Sequence, residues 1–300
     1  MVSDPTARVV TGNREGFRMS RLKGDWPSML TRFDLAAVIL LFTFSEVQAD
    51  GGSSRIKDVS FEASIDGSIQ QYVLIMPNQF DPKENHDLLV ALHGHGSDRW
   101  QFAIGDIDQA RAAREVAEEN RMIYVSPDYR AKTSWMGPAA EADTVQIIES
   151  LKKQFSIDHV LISGASMGGS SCLSFAALHP ELVDGVVSIN GTANHLEYEN
   201  FQEAIGESFG GAKSAIPEEY KKRSAEYWPE RLTMPLAITA GGQDTVVPPD
   251  SVVRLATVLG KLNPDVLLLF REEGGHSTDY KDSRQAYEFV VERMKHRNSR

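Results

Sequence analysis

From residue 50 onward, short apolar runs alternate with longer stretches whose apolar residues recur every three or four positions. Segments 56–65 and 71–76 alternate loosely between apolar and polar, with Asp66-Gly67 between them. Period-two alternation around an Asp-Gly turn predicts an antiparallel hairpin. The next runs are uninterrupted: 88–92, 122–125, 159–162, 186–189, 236–239 and 266–270. Strands apolar on every residue are strands covered on both faces, as in a parallel sheet. Helical spacing fills the intervals at 107–120, 139–155, 172–178, 251–262 and 283–296. In the second of these, 139–155, Val145, Ile148, Leu151 and Phe155 form the inward stripe. The pattern therefore predicts an α/β chain: an initial antiparallel pair, then a mostly parallel central sheet with helices on both faces. No internal repeat or low-complexity segment interrupts it.

One stretch departs from the alternation. Residues 191–233 form an insertion of about forty residues that carries Tyr198, Phe201, Phe209, Tyr220, Tyr227 and Trp228. Long excursions from an α/β core are commonly functional, and this one is expected to form a small cap over the mouth of a site.

Residues 1–49 read differently. The apolar run 35–44, Leu-Ala-Ala-Val-Ile-Leu-Leu-Phe-Thr-Phe, is preceded by Arg21, Lys23 and Arg32 and followed by Val47-Gln48-Ala49. A basic region, a short apolar core and a small-residue cleavage site describe a secretory signal. A bilayer span needs about 20 apolar residues, so the run is too short to serve as an anchor. The expectation is export to the periplasm or the medium with cleavage after Ala49, leaving 50–300 as the working domain. Met19 and Met29 are alternative start residues.

Composition narrows the partners. The chain has 300 residues and a formal net charge of −11. An acidic surface has no general attraction for phosphate backbones, so nucleic acid is excluded as an expected partner. Cys172 is the single cysteine, which rules out an internal disulfide and a paired-cysteine metal site. Its place within the helical stretch 172–178 marks it as a small buried hydrophobe.

The candidate chemistry sits where the predicted strands end. The run 160–162 leads directly into Gly164-Ala165-Ser166-Met167-Gly168-Gly169, and a helix follows. Strand, Gly-x-Ser-x-Gly and helix together hold one hydroxyl at the tip of a tight turn, where a Cβ at either glycine would meet backbone. A serine hydroxyl is a weak nucleophile and needs a base, an acid to orient the base, and donors for an oxyanion. In open parallel sheets such groups lie on loops after the strands. After 236–239 comes Gly241-Gly242-Gln243-Asp244, and Asp250 looks better placed to cap the next helix, which leaves Asp244 as the acid. After 266–270 comes Gly274-Gly275-His276, which supplies the base. After 88–92 comes His93-Gly94-His95-Gly96, a glycine loop whose backbone can approach a carbonyl. The expected oxyanion donors are the N–H groups of Met167 and His95, ahead of that of Gly96. His93 is read as a loop brace. His93-x-His95 also matches a metal pair, but no further ligands support it, so neither metal nor cofactor is expected. Trp135, on the loop after 122–125, is a candidate for the substrate pocket, with bracing of the loop as the alternative. Tyr129-Arg130 on the same loop is open to the same two readings, and Glu141 and Asp143 are expected to place negative charge in a helix's first turn.

These motifs resemble the α/β-hydrolase superfamily from about residue 55 to the C-terminus. His93-Gly94-His95-Gly96, the Ser166 turn, Gly242-Gln243-Asp244 and Gly275-His276 are similar to the feruloyl and acetylxylan esterase and polyhydroxybutyrate depolymerase-like branch. They also share features with prolyl-oligopeptidase catalytic domains. The resemblance implies an α/β-hydrolase fold and a cofactor-independent serine hydrolase that cleaves carboxylic esters through an acyl-enzyme, on small-molecule or polysaccharide-linked substrates. The alternative readings are a peptidase or amidase of prolyl-oligopeptidase type and a noncatalytic binding protein on the same scaffold. A full prolyl oligopeptidase places a β-propeller before the hydrolase portion, and many secreted esterases of this kind carry several cysteines. This sequence has neither feature.

Overall fold

The computed structural model describes residues 55–297. The expected export signal and its cleavage after Ala49 lie outside the described residues. Eight strands form one sheet among them: β1 (Ile56–Glu62), β2 (Ile69–Ile75), β3 (His86–Leu92), β4 (Ile123–Pro127), β5 (Ile157–Ala165), β6 (Gly185–Ile189), β7 (Leu236–Gly241) and β8 (Val266–Arg271). Their order across the sheet is β1-β2-β4-β3-β5-β6-β7-β8. β1 pairs with β2, and β2 with β4, antiparallel. Every later pairing is parallel. This is the α/β-hydrolase fold the apolar pattern predicts. The hairpin turn closes over Ala63, where the N–H of Gly67 donates to the Ala63 carbonyl at 2.7 Å and Gly67 takes φ +71°.

Eight α-helices accompany the sheet among the described residues: α1 (Trp100–Ile104), α2 (Asp108–Glu119), α3 (Pro138–Gln154), α4 (Met167–Leu178), α5 (Gln202–Phe209), α6 (Pro217–Lys222), α7 (Asp250–Leu262) and α8 (Tyr280–Arg297), with two short 3-10 turns at Ala225–Tyr227 and Pro229–Arg231. Side-chain alternation along each strand divides the apolar residues between two layers. On β3, Leu88, Val90 and Leu92 join the core beneath α3, α4 and α7, while Leu89 and Ala91 join the core beneath α2 and α8. Both faces are thus dry, which is why the strand runs carry no polar alternation. No described helix is long and apolar enough to cross a membrane.

His86 is buried at the start of β3, its ring nitrogens facing the carbonyls of Arg121 and Asp81 at 3.0 and 2.9 Å. Two local readings change. Asp250 is the first residue of α7 and makes no capping bond; the cap position belongs to Pro249. Of the two carboxylates expected in a helix's first turn, only Glu141 lies in that of α3, Asp143 falling in the second, and both do more than add charge. Asp143 is buried against Arg130, and Glu141 bridges His179 and Arg223.

Candidate active site

Ser166 stands between β5 and α4 with φ +59° and ψ −118°, a region a residue with a Cβ adopts only under strain. The turn is held by the Ser166 N–H, which donates to the Ile189 carbonyl at 2.8 Å. The flanking glycines are fixed by space. A Cβ on Gly164 would come within 2.5 Å of the Gly168 backbone, and one on Gly168 within 2.1 Å of the Leu92 carbonyl oxygen. The strained conformation survives because β3, β5 and β6 pack the turn on several sides.

The loops after β7 and β8 zip together beside it. Gly242 N–H donates to the Arg271 carbonyl and Gln243 N–H to the Gly274 carbonyl, both at 2.8 Å. This pairing carries His276 next to Asp244. The two nitrogens of His276 then face two different partners: Nδ1 meets Asp244 Oδ2 at 2.7 Å, and Nε2 meets Ser166 Oγ at 2.9 Å. Asp244 is an acceptor only, so Nδ1 carries the proton and Nε2 is left to accept from the serine. The other carboxylate oxygen, Oδ1, accepts the N–H groups of Val246 and Val247 at 2.9 Å each. Asp244 thus holds its own turn as well as the histidine. Its carboxylate is almost wholly buried, whereas His276 retains about a quarter of its exposure.

The glycine loop after β3 borders the serine. A Cβ on Gly94 would lie 3.8 Å from Ser166 Cβ. His93 is buried and braces the loop, its ring nitrogens facing the Gly94 and Asp128 carbonyls, while Tyr129 donates its hydroxyl proton to the His93 carbonyl at 2.6 Å. Burial depresses the His93 pKa, which keeps the ring neutral. Gly94 N–H is taken by Gln101 Oε1 and Gly96 N–H by the Lys132 carbonyl. The N–H groups of His95 and Met167 meet no protein acceptor among the described residues. Met167 opens α4, so its N–H lacks an intrahelical partner and sits at the positive end of the helix. Two free donors therefore flank the serine, and Gly96 is spent elsewhere.

The arrangement can move a proton from Oγ to Nε2, stabilise the imidazolium with Asp244, and receive a developing oxyanion at two backbone N–H groups. A family-model match provides the decisive comparison, spanning residues 129–297 and described as the prolyl oligopeptidase family. The chain belongs to the prolyl oligopeptidase family. The matched segment takes in Trp135, Ser166, Asp244 and His276. Comparison with curated proteins returns no match. Among solved structures, a puromycin hydrolase aligns over 82% of this chain and 39% of its own length at 17% identity, with a TM-score of 0.65. A thermostable esterase aligns over 81% of this chain and 63% of its own length at 20% identity, TM-score 0.58. The Staphylococcus aureus fluorophosphonate-binding serine hydrolase F, with substrate bound, aligns over 81% of this chain and 99% of its own length at 17% identity, TM-score 0.61. This member of the prolyl oligopeptidase family spans about two fifths of the puromycin hydrolase. At these identities the likeness shows the shared fold.

Around the serine of this prolyl oligopeptidase family member, the remaining expected residues are sorted by burial. Trp135 is fully buried and presents no surface to a substrate. It braces the loop: its indole N–H donates to His95 Nδ1 at 3.2 Å. An indole N–H only donates, so His95 Nδ1 is unprotonated and its ring is the neutral Nε2–H form. Burial shifts the His95 pKa downward in the same sense. Tyr129 and Arg130 are also structural, Arg130 pairing with Asp143 and Asp66. Among the described residues, no group of three or more His, Cys, Asp or Glu is placed to hold a metal ion.

The insertion 191–233 lies against the loops that carry Asp244, His95 and Trp135. Tyr198 Oη and Asn200 Nδ2 both donate to the Val246 carbonyl at 2.9 Å. Ser208 Oγ donates to the Ser134 carbonyl. Arg223, at the end of α6, is fully buried and donates to the Met136 carbonyl, Glu141 and Glu219. The residue sequence reasoning missed is Phe201. Its ring centroid lies 4.4 Å from that of His95 and 5.5 Å from that of Trp135. Only its place in an aromatic-rich insertion marked it beforehand.

Proposed function

We propose that this chain is a serine hydrolase of carboxylic esters in which Ser166 is the nucleophile, His276 the general base and then acid, and Asp244 the orienting carboxylate. The N–H groups of His95 and Met167 form the oxyanion hole. The observation that carries the reading is His276, whose two ring nitrogens contact Asp244 and Ser166 at the same time. In the first half-reaction Oγ attacks the ester carbonyl as its proton passes to Nε2. The imidazolium then protonates the departing alkoxide, leaving an acyl-Ser166. Water repeats the sequence, giving its proton to His276, and releases the acid and free Ser166. Each oxyanion donor supplies on the order of 3 kcal/mol of barrier lowering.

The preference for esters rests on the motif resemblance. The peptidase reading is favoured by the family match, and the two are separated by substrate. Purified protein is expected to hydrolyse short p-nitrophenyl esters, to react with a fluorophosphonate probe, and to leave aminoacyl-naphthylamides intact. Ser166→Ala is expected to abolish both hydrolysis and labelling. Turnover of the naphthylamides moves the assignment to the peptidase, and ester hydrolysis retained by Ser166→Ala removes the nucleophile. Export with cleavage after Ala49 belongs to the same proposal. N-terminal sequencing of the secreted product tests it.

A further inference from the structure

Three buried polar residues at the strand ends close into a ring of hydrogen bonds that the reaction steps do not use. Asn190 follows β6, Thr239 lies in β7, and Thr278 comes two residues after the catalytic histidine. The Asn190 N–H donates to the Thr239 carbonyl at 3.0 Å. The Thr278 hydroxyl donates to Asn190 Oδ1 at 2.5 Å, and the two threonine oxygens lie 2.7 Å apart. A hydroxyl has one proton to give. Thr278 spends its proton on Asn190, so Thr239 donates to Thr278 and the cycle is complete. Asn190 takes φ +47°, a left-handed conformation that asparagine tolerates better than most residues.

The ring supplies a tie that the backbone of the histidine loop lacks. Ahead of the histidine, Gln243 N–H donates to the Gly274 carbonyl at 2.8 Å, which couples His276 to the loop of Asp244. From Gly275 to Thr278, no residue makes a backbone hydrogen bond among the described residues. The next tie, from Tyr280 N–H to Asp108 Oδ2 at 3.1 Å, fastens the start of α8 to α2. The serine turn is anchored at the far side of the ring, because the Ser166 N–H donates to the carbonyl of Ile189, the residue before Asn190. Thr278 therefore links the loop of the base to the segment that holds the nucleophile.

We propose that Thr278 and Asn190 are positioning residues, holding His276 Nε2 within reach of Ser166 Oγ. The inference rests on the serine-hydrolase reading of Ser166 and His276, whether the bond cleaved is an ester or an amide. Loss of the Thr278 hydroxyl leaves the contact of Nδ1 with Asp244 in place and slackens the contact of Nε2 with Oγ. Misplacing a reacting group by about 1 Å costs on the order of 10²-fold in rate.

The test compares the full-chain Thr278→Val, Thr278→Ser and Asn190→Gly proteins with the unaltered one. The readouts are the rate of fluorophosphonate labelling, steady-state p-nitrophenyl ester hydrolysis and thermal unfolding. Valine keeps the shape of threonine without its hydroxyl, serine keeps the hydroxyl, and glycine keeps the left-handed backbone without the acceptor. Labelling is expected to slow at least about tenfold in Thr278→Val and Asn190→Gly, with a matching fall in kcat and little change in KM. Thr278→Ser is expected to restore a rate close to that of the unaltered protein. A ring that only stabilises the fold would lower the unfolding temperature and leave the labelling rate of the folded protein unchanged. Slowing of less than about tenfold in Thr278→Val, or Thr278→Ser no faster than Thr278→Val, overturns the inference. Asn190→Gly decides by the same measure if Thr278→Val does not fold. Unaltered protein that labels but leaves the ester intact removes the ester reading alone, and the labelling rates still decide the positioning role. Unaltered protein that does not label removes both.

Discussion

Replacing Asp244 by asparagine separates the two tasks of that carboxylate. Oδ1 accepts two backbone N–H groups, from Val246 and Val247, and Oδ2 accepts His276 Nδ1–H. An asparagine can keep its carbonyl oxygen on the two backbone donors, so the turn after β7 stays closed. Its NH2 group then faces His276 Nδ1. Two donors cannot share that 2.7 Å contact, so the imidazole moves its proton to Nε2. Nε2 then points a hydrogen at Ser166 Oγ and can no longer accept one. The expected loss is about 10⁴-fold in kcat, which corresponds to about 5 kcal/mol of barrier. Stability should change little. Asp244→Ala behaves differently, because it also removes the acceptor of two N–H groups, and the buried one, on Val247, costs about 1–3 kcal/mol when stranded. The assay is steady-state hydrolysis of a p-nitrophenyl ester paired with thermal unfolding of both variants. A folded Asp244→Asn protein that retains more than a tenth of the normal kcat refutes the reasoning. Asparagine and alanine variants of equal stability refute the dual role.

Gly168→Ala pushes a methyl group to within 2.1 Å of the Leu92 carbonyl oxygen, so β3 and the serine turn must separate. A cost of about 3 kcal/mol, equivalent to a Tm drop of roughly 6–12 °C, and loss of esterase activity are expected by calorimetry and turnover. The Glu141–His179 pair gives a pH signature. Burial opposes ionisation of Glu141, but the His179 hydrogen bond and the Arg223 charge outweigh it and hold its pKa at about 2 against an ordinary 4.5. The Glu141 hydrogen bond raises the His179 pKa above 6.5. Glu141 therefore contributes stability above pH 4.5 that is lost as pH falls toward 2, and His179 contributes stability below pH 6.5 that is lost as pH rises past its elevated value. The Tm difference between the unaltered protein and Glu141→Gln should be largest, at a few degrees, between pH 4.5 and 6.5. A difference that grows above pH 8 contradicts the pairing.

Much of this was legible because the fold writes itself in apolar runs. Strands buried on both faces cannot alternate, so β3, β5 and β6 stood out without reference to their neighbours in space. Ser166, Asp244 and His276 were legible for a related reason: each follows a strand and is preceded by glycines where loops pack closely. The sequence carries no comparable mark for the placement of β4 between β2 and β3, since strand order depends on which crossover packs best. Asp250 was misassigned as a cap because its residue type suits that role, but α7 starts on it, after Pro249, with no side-chain capping bond. Trp135 and Phe201 show the same limit. Composition offers two aromatic residues near a site, and only packing decides that the indole goes under and the phenyl ring stays out.

Arg223 has a consequence for how freely the insertion can move. Its guanidinium is sealed from water and joins α6 to α3 and to the loop beside Trp135. Swinging the insertion outward would strip those partners, leave the Met136 carbonyl stranded and leave Glu141 with His179 alone, at a cost of about 3–5 kcal/mol for the broken pair. The insertion is therefore fixed in place rather than hinged. Transplanting the insertion to another hydrolase would succeed only if its arginine travelled together with the glutamates that receive it.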